Sequence, residues 1–284
     1  MRWLKRTMVL ATLVMMMTGA MRVQALNYEF DAWSYPQTKT LKLDLNKDGK
    51  KETIKMQCRS YGDSWDSADN YYDVYINKKK VLKEGEQIWI MDINQKDKYI
   101  EIVVSYKHKS GLHIYRYNGK KLVLYASAKV TTFHNLMKKN TIYFAGYDER
   151  YKIKTSGKGR LIVCNEVYVP SAEMDDLLYD AYCNVEFNYI VKKNLIKYDQ
   201  SASCKVKNVE GTDGIMRIKK KWNAYKYPRL SSNKKVFVIN KGDKVKFTDF
   251  KFTAKYTYMK VKKLKTNNTG WVFFRTKDIE KQEY

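Results

Sequence analysis

The sequence has few histidines, which often act as catalytic acids and bases, and few prolines, which interrupt strands. It contains three histidines and three prolines in 284 residues, and 55 lysines and arginines outnumber its 30 acidic side chains. No Gly-x-Ser-x-Gly, His-Glu-x-x-His or phosphate-binding glycine loop occurs. The usual sequence evidence for a serine hydrolase, a zinc protease or a nucleotide-dependent enzyme is therefore missing, and we predict that the chain is not an enzyme.

Long apolar stretches are absent after the first 25 residues. That segment combines a basic start at Arg2, Lys5 and Arg6, an apolar stretch over residues 8–21 and a small-residue end, which predicts a signal peptide cleaved after Ala25. An uncleaved anchor is the alternative, but a spanning helix needs ~20 apolar residues. The sequence lacks a lipoprotein cysteine at the cleavage site and a Leu-Pro-x-Thr-Gly sorting signal. We expect a secreted protein without a transmembrane segment, held at a cell surface only by non-covalent contacts.

Cysteine is also scarce. The four residues, Cys58, Cys164, Cys183 and Cys204, are too far apart in sequence to form the closely paired ligands of a zinc site. In an exported protein an even number of cysteines predicts disulfides, and the sequence does not distinguish the three connectivities. Free thiols are the alternative.

Positive charge is concentrated at the end of the chain. Residues 215–284 hold 20 lysines and arginines against five acidic residues, a net charge of +15. Without the leader the chain carries +21, so residues 26–214 contribute only +6. This asymmetry predicts an anionic partner for the C-terminal region.

Alternating runs rich in Val, Ile, Tyr and Thr predict an all-β protein. In the first half they lie at residues 53–57, 72–76, 88–91, 100–106, 113–117 and 122–125. A single helix is predicted after Pro170, from a capping Ser171 to Tyr182. A change in composition at residues 211–214 predicts a boundary between a domain of residues 26–210 and a smaller one of residues 211–284.

Oxygen-bearing side chains recur in residues 44–52. Asp44, Asn46, Asp48 and Glu52 occupy positions one, three, five and nine of this segment, with Gly49 at six. Calcium binds roughly six to eight oxygens, and alternate residues of a curling loop supply them. The spacing therefore predicts a calcium cofactor with these four side chains as metal ligands. A plain hairpin turn is the alternative, because Asp-Gly favours turns.

This segment resembles the calcium loops of FG-GAP or integrin-type β-propeller repeats, which follow the pattern Asp-x-Asp/Asn-x-Asp-Gly-x-x-Asp/Glu before a strand. A weaker copy begins 48 residues later, where Asp92, Asn94, Asp97 and Glu101 precede a strand without the glycine. The resemblance implies an N-terminal domain of β repeats, arranged as a partial propeller.

The strands predicted after residue 222 follow a defined order. A strand at 236–239 leads into a Lys-Gly-Asp turn at 241–243, a strand at 244–247, a Val-Lys strand near 258–261 and Gly-Trp-Val at 270–272. This order resembles the bacterial Src-homology-3-like domain, a small β-barrel of secreted and wall-associated proteins. The resemblance implies binding to cell-wall peptide or polymer without catalysis. The barrel core is expected to contain Ile239, Val245, Val261 and Trp271.

The residues of this region also predict a lysine-coated surface with exposed aromatic side chains. We expect Trp222, Tyr225, Tyr227, Arg229 and Tyr256 to contact the ligand. An anionic cell-wall polymer or peptidoglycan is the predicted partner, and nucleic acid is disfavoured. The alternative is that the lysines form only a solvated face.

Together these features predict a secreted, non-catalytic protein of two β domains whose basic C-terminal barrel docks on an anionic cell-wall component. One alternative is an adhesion or structural protein whose N-terminal domain binds the partner. The other is an extracellular enzyme of unrecognised type in residues 26–210, with His113 and Asp97 as the residues to test.

Overall fold

The computed structural model describes residues 26–31, 37–60, 70–106, 111–131, 135–143, 152–174, 180–207, 215–230 and 234–279. These residues form 21 strands and one four-residue helix, so the all-β prediction is confirmed. The predicted signal peptide and the composition change at residues 211–214 lie outside the described residues. Among the described helical residues, no segment has the length and apolar character that crossing a membrane requires.

Three antiparallel four-stranded meanders follow one another along the described chain. The first consists of β2 (Lys39–Leu43), β3 (Glu52–Ser60), β4 (Asn70–Ile76) and β5 (Lys79–Gly85). The second consists of β6 (Gln87–Met91), β7 (Glu101–Tyr106), β8 (Gly111–Tyr117) and β9 (Leu122–Thr131). The third consists of β11 (Lys152–Thr155), β12 (Arg160–Met174), β13 (Asp180–Lys192) and β14 (Leu195–Tyr198). The strands predicted between residues 53 and 125 are all present.

The second meander lies between the other two, and its strands β6 and β7 are buried on both faces. One core joins it to the first meander through residues that include Ile54, Val74, Ile88 and Val104. Trp89, on its opposite face, belongs to the larger core that contains the third meander. Every residue of β6 and β7 is buried, which explains their continuous apolar sequence. Two edge strands, β1 (Asn27–Asp31) and β10 (Thr141–Tyr143), extend this sheet to six strands.

The remaining strands continue the sheet of the third meander. They are β15 (Cys204–Lys207), β16 (Ile215–Ile218), β17 (Trp222–Tyr225), β18 (Lys235–Ile239), β19 (Lys244–Phe252), β20 (Tyr256–Lys263) and β21 (Thr269–Arg275). β19, β20 and β21 form an antiparallel meander, and β17 joins β21 to the edge strand β18. The helix α1 (Thr276–Ile279) follows β21. The strands predicted in this region are confirmed.

Five strands close into a barrel. β12 pairs with β13, β13 with β15, β15 with β19, β19 with β16, and β16 with the end of β12. Strands on both sides of the predicted boundary at residue 211 therefore share one sheet and one hydrophobic core. Two β-bulges accompany the closure, between Tyr168 and Glu173 in β12 and between Phe247 and Asp249 in β19. Bulges bend strands, and each of these lets one strand pair with different neighbours along its length.

The helix predicted from Ser171 to Tyr182 is wrong at its described residues, and residues 175–179 lie outside them. Residues up to Met174 belong to β12, and residues from Asp180 onward belong to β13. Pro170 lies in the β12 bulge, where its missing N–H removes no ladder hydrogen bond. Ser171 has a φ of 60° and its carbonyl accepts the Lys219 N–H at 2.8 Å. Long-range strand pairing has overridden the local capping signals.

The four cysteines are free thiols, contrary to the disulfide prediction. Cys58 lies in the first meander, and Cys164, opposite Glu186, projects from the face of the sheet opposite to Cys183. Cys204 lies level with Phe187, four residues along β13 from Cys183, which is about 13 Å of strand. A disulfide needs Cα atoms within about 7 Å. Burial also raises the pKa of the Cys183 and Cys204 thiols, which disfavours the reactive thiolate.

Candidate functional site

Loop one (residues 44–52) is held by its own oxygen atoms. The Asp44 carboxylate accepts the backbone N–H groups of Asp48 and Gly49 at 3.0 and 2.8 Å. The buried Glu52 carboxylate accepts the Leu45 N–H at 2.9 Å. Gly49 has a φ of 89°, a conformation that glycine adopts without strain. The predicted ligand spacing therefore forms a compact turn between β2 and β3.

Loop two (residues 92–101) repeats this arrangement between β6 and β7. The buried Glu101 carboxylate accepts the Ile93 N–H at 3.0 Å, as Glu52 accepts that of Leu45. Asp97 accepts the Tyr99 N–H at 3.0 Å and a hydrogen bond from the Asn94 amide at 3.3 Å. The weaker sequence copy is thus a structural copy, although it has no glycine.

The two loops are joined by a lysine. Lys47 of loop one donates from Nζ to Asp92 Oδ2 at 3.0 Å and to the Asp97 carbonyl at 2.9 Å. The backbone adds a hydrogen bond from Ile100 N–H to the Leu45 carbonyl at 2.8 Å. We call loops one and two together the loop pair.

Arg116 supplies a second cation to loop two. Its Nη2 atom donates to Asp97 Oδ2 at 2.6 Å and to Glu101 Oε1 at 2.5 Å. The guanidinium carbon lies 3.6 Å from the centroid of the Tyr125 ring. Burial raises the pKa of Glu101 to about 7, and the Arg116 charge opposes that rise. Lys47 and Arg116 therefore neutralise the acidic side chains of loop two from within the protein.

The predicted calcium ligands lie together in loop one. Asn46 donates to Asp48 Oδ2 at 2.9 Å, and hydrogen bonds from the Lys50 N–H and from Asn46 lower the pKa of Asp48. The Asn46 Oδ1 atom is buried without a hydrogen-bond partner, which fits a cation at this loop. Within the described ranges, however, no cluster of three or more His, Cys, Asp or Glu side chains has a metal-binding arrangement. Calcium binding stays a prediction.

Of the three histidines, His113 is the only one among the described residues. Its ring packs against Tyr106 and Tyr115, with centroids 5.1 and 6.2 Å away. Its Nδ1 atom lies 3.4 Å from the Tyr115 hydroxyl. Asp97, the other residue proposed for an enzyme, is bound to Arg116 and to loop backbone. Both side chains therefore have structural contacts that account for their positions.

A second candidate site is the outer face of the sheet formed by β17, β21, β20 and β19. Residues directly opposite each other in paired strands project from the same face. One row across this face contains Asp249, Lys260, Trp271 and Tyr225. The next row contains Lys251, Tyr258 and Phe273.

Two further rows complete this surface. Lys246 lies directly opposite Lys262, and Tyr256 lies opposite Arg275. We call the whole surface the lysine–aromatic face and define it by Tyr225, Lys246, Lys251, Tyr256, Tyr258, Lys260, Lys262, Trp271, Phe273 and Arg275.

The aromatic rings of this face touch one another. Phe273 is the centre of the group, with ring centroids of Tyr225, Tyr256 and Tyr258 at 5.5, 6.0 and 6.2 Å. Their planes are inclined to Phe273 by 38°, 87° and 52°, so the rings form a tilted, edge-on floor. Tyr258 is buried, whereas the other rings of the floor are partly exposed.

One described carboxylate, that of Asp249, lies on this face, directly opposite Lys260. Asp249 is ion-paired with Lys205 of β15, its neighbour on the other side. In the described part of the chain none of Lys246, Lys251, Lys260, Lys262 and Arg275 is ion-paired with a carboxylate. Lys246 and Lys262 face each other directly, an arrangement of like charges that destabilises a sheet. The face therefore presents uncompensated positive charge around an aromatic floor.

The structure separates the five residues predicted to bind a ligand. Tyr225 and Tyr256 belong to the lysine–aromatic face. Trp222 is only 8 % exposed and packs edge-on against Phe274 and Phe247, so the prediction that it is exposed is wrong.

Tyr227 and Arg229 lie in the segment between β17 and β18. The Arg229 guanidinium carbon is 4.9 Å from the centroid of the Tyr227 ring, which is 42 % exposed. Their exposure agrees with the prediction.

Sequence reasoning missed the central members of the face. Trp271 was expected in the core with Ile239, Val245 and Val261; those three are fully buried, but Trp271 is partly exposed and projects outward. The flanking Gly270 and Val272 take the inward positions of β21. Strict alternation along β21 was the signal that could have placed Trp271 and Phe273 on the outer face.

Comparison with known proteins found no family model that matches the chain and no significant match among curated proteins or solved structures.

Proposed function

We propose that this chain is a secreted, non-catalytic surface protein that docks on an anionic cell-wall polymer through the lysine–aromatic face. The observation that carries the proposal is the set of four lysines and one arginine around an aromatic floor, none of them ion-paired with a carboxylate of the described residues. Unpaired cations are attracted to a polyanion, and binding releases its counterions. The resemblance of the C-terminal strands to the bacterial Src-homology-3-like domain supports the same assignment.

The long lysine stems also suit a polymer that lies flat on the sheet. Lys246, Lys251, Lys260 and Lys262 are each partly buried, so their methylene groups cover the sheet while their ammonium groups remain in water. A chain of anionic groups that crosses the rows meets cations on either side of the aromatic floor. The proposal therefore assigns charge to the lysines and apolar contact to the rings.

The experiment is co-sedimentation of the full chain with purified bacterial cell walls. A variant with Lys246, Lys251, Lys260 and Lys262 changed to Gln should remain in the supernatant when the wild type pellets. The full chain is needed because β16 and β19 form a barrel with strands that precede residue 211.

The matched control removes the same charge from other exposed positions, with Lys42, Lys51, Lys129 and Lys139 changed to Gln. This variant should pellet like the wild type. Equal pelleting of the two quadruple variants would contradict the assignment of docking to the lysine–aromatic face.

A further inference from the structure

We propose that the lysine–aromatic face binds the sugar rings of an acidic polysaccharide and not acyclic polyanions. This inference rests on the proposed function and narrows it to one class of polymer. It follows from rings and cations that lie in the same rows of one sheet.

In each of two rows, a lysine lies directly opposite an aromatic residue of the paired strand. Lys260 is directly opposite Trp271, and Lys251 is directly opposite Tyr258. Paired strands lie about 4.8 Å apart, and alternate residues along a strand lie about 6.8 Å apart. A polymer that rests on Trp271 therefore has a lysine, Lys260, at the directly opposite position of the adjoining strand. A ligand with anionic groups and apolar faces uses both features, whereas an acyclic polyanion uses only the lysines.

The inclination of the rings favours sugars over nucleobases. A nucleobase stacks on a flat, exposed ring face. Here Tyr256 stands at 87° to Phe273, and Tyr258 is inclined to it by 52° and buried. Such a floor offers tilted ring faces in place of one flat stacking platform, and the partly positive C–H groups of a sugar ring are attracted to the negative ring faces.

The anionic groups of the polymer supply the negative charge that the cations of this face lack. Lys246 and Lys262 repel each other across β19 and β20, and no described carboxylate neutralises them. A carboxylate of a uronic acid unit between these two ammonium groups turns a repulsive contact into two attractive ones. The preferred ligand therefore carries its acidic groups on the sugar rings.

The test compares four probes by titration calorimetry at low salt: polygalacturonate, dextran, inorganic polyphosphate and oligothymidylate. We expect polygalacturonate to bind most tightly and dextran, which has rings without charge, to bind at least tenfold more weakly. Trp271→Ala should weaken polygalacturonate binding about tenfold and polyphosphate binding by less than about twofold, because only the sugar polymer uses the ring.

Controls separate a lost contact from a lost fold. Trp271→Phe retains a ring and should retain most of the affinity, and Tyr28→Ala removes an exposed aromatic side chain from β1 and should change neither affinity. Lys260→Gln combined with Lys262→Gln should weaken the binding of polygalacturonate and of polyphosphate alike. Thermal unfolding of each variant verifies that it is folded.

Three outcomes would contradict the inference, and one of them would also contradict the proposed function. Equal affinity for polygalacturonate and polyphosphate, with Trp271→Ala affecting neither, would overturn the ring-binding inference and leave the proposed docking on a polyanion intact. Tighter binding of oligothymidylate than of polygalacturonate would also overturn it, in favour of a nucleic-acid ligand. Failure of all the anionic probes and of cell walls to bind would end both the inference and the proposed function.

Discussion

The charged side chains of loop two in the loop pair are ion-paired within the chain, whereas the cations of the lysine–aromatic face are not. In loop two, Asp92, Asp97 and Glu101 are bound by Lys47 and Arg116, both of which belong to the chain itself. On the lysine–aromatic face no cation is ion-paired with a described carboxylate, and Asp249, which lies opposite Lys260, is bound by Lys205. Charge that is neutralised internally stabilises a fold, whereas charge left unpaired is available to a partner. The ion pairs of the N-terminal loops therefore stabilise the fold, whereas the unpaired cations of the C-terminal sheet are the ones we propose to bind a partner.

The two regions should differ most in the free energy of unfolding that is lost when one cation is removed from each. Arg116→Met should lower the free energy of unfolding by about 3–5 kcal/mol, because it leaves the fully buried Glu101 carboxylate without its cation. Lys260→Met on the face should change it by no more than about 0.5 kcal/mol. Urea unfolding of both variants measures the two effects, and equal losses would remove the basis of the comparison.

The Arg116→Met penalty should also depend on pH. Burial raises the pKa of Glu101 above its unfolded value, to about 7 even with Arg116 present. Without the cation, the stability contributed by Glu101 is complete below about pH 4.5 and is lost as the pH rises through its folded pKa. The penalty should therefore be smaller at pH 4.5 than at pH 8, and a constant penalty would argue against a charged Glu101 in the wild type.

A smaller loss is expected from the lysine that joins the loops. Lys47→Met removes donors to Asp92 and to the Asp97 carbonyl and should cost about 1 kcal/mol, because Lys47 is partly exposed. Lys51→Met, at an exposed position three residues after Asp48, is the matched control and should be neutral. If both changes were neutral, Lys47 would be a surface residue and not a link between loops.

Calcium binding should differ between the two loops. Among the described residues, protein cations are ion-paired with the carboxylates of loop two and not with those of loop one, so a bound calcium ion should lie in loop one. At about five times its Kd, calcium should stabilise the protein by about 1 kcal/mol and raise the Tm. Asp48→Ala should abolish this rise, and a wild-type Tm that is insensitive to calcium would end the metal prediction.

The smallest effect is a gain in stability on the face. Lys262→Glu replaces the like-charge pair with Lys246 by an opposite-charge pair and should stabilise the sheet by about 0.2–1 kcal/mol at low salt. The same variant should bind cell walls more weakly. Lys42→Glu on β2 lies opposite Thr53, has no such pair to relieve, and should give no gain. A loss of stability in Lys262→Glu would show that this lysine has a structural partner.

The sequence predicted local structure better than long-range pairing. Alternation located most strands, and the spacing of Asp44, Asp48 and Glu52 located a loop whose geometry recurs at residues 92–101. The third meander was missed because residues 156–159, which connect β11 to β12, contain no acidic side chains. Barrel closure was missed because composition does not report which distant strands pair, and the charge change at residue 211 concealed a continuous sheet.

The same limit explains the two tryptophans. Trp222 and Trp271 both lie in short strands with aromatic and basic neighbours, and only the register shows that Trp222 faces Phe247 while Trp271 faces outward beside Lys260. The sequence prediction placed Trp222 on the exposed surface and Trp271 in the core, the reverse of their positions. The site was therefore predictable as a basic, aromatic region but not as a particular face.

The most direct test of the central claim is the salt dependence of binding to purified cell walls. The logarithm of the affinity should fall linearly with the logarithm of the salt concentration, because docking releases counterions. For the variant with Lys246, Lys251, Lys260 and Lys262 changed to Gln, the account predicts a weaker affinity and a slope smaller by roughly 3 to 4. An unchanged slope in that variant would contradict the claim that these lysines contact the polymer.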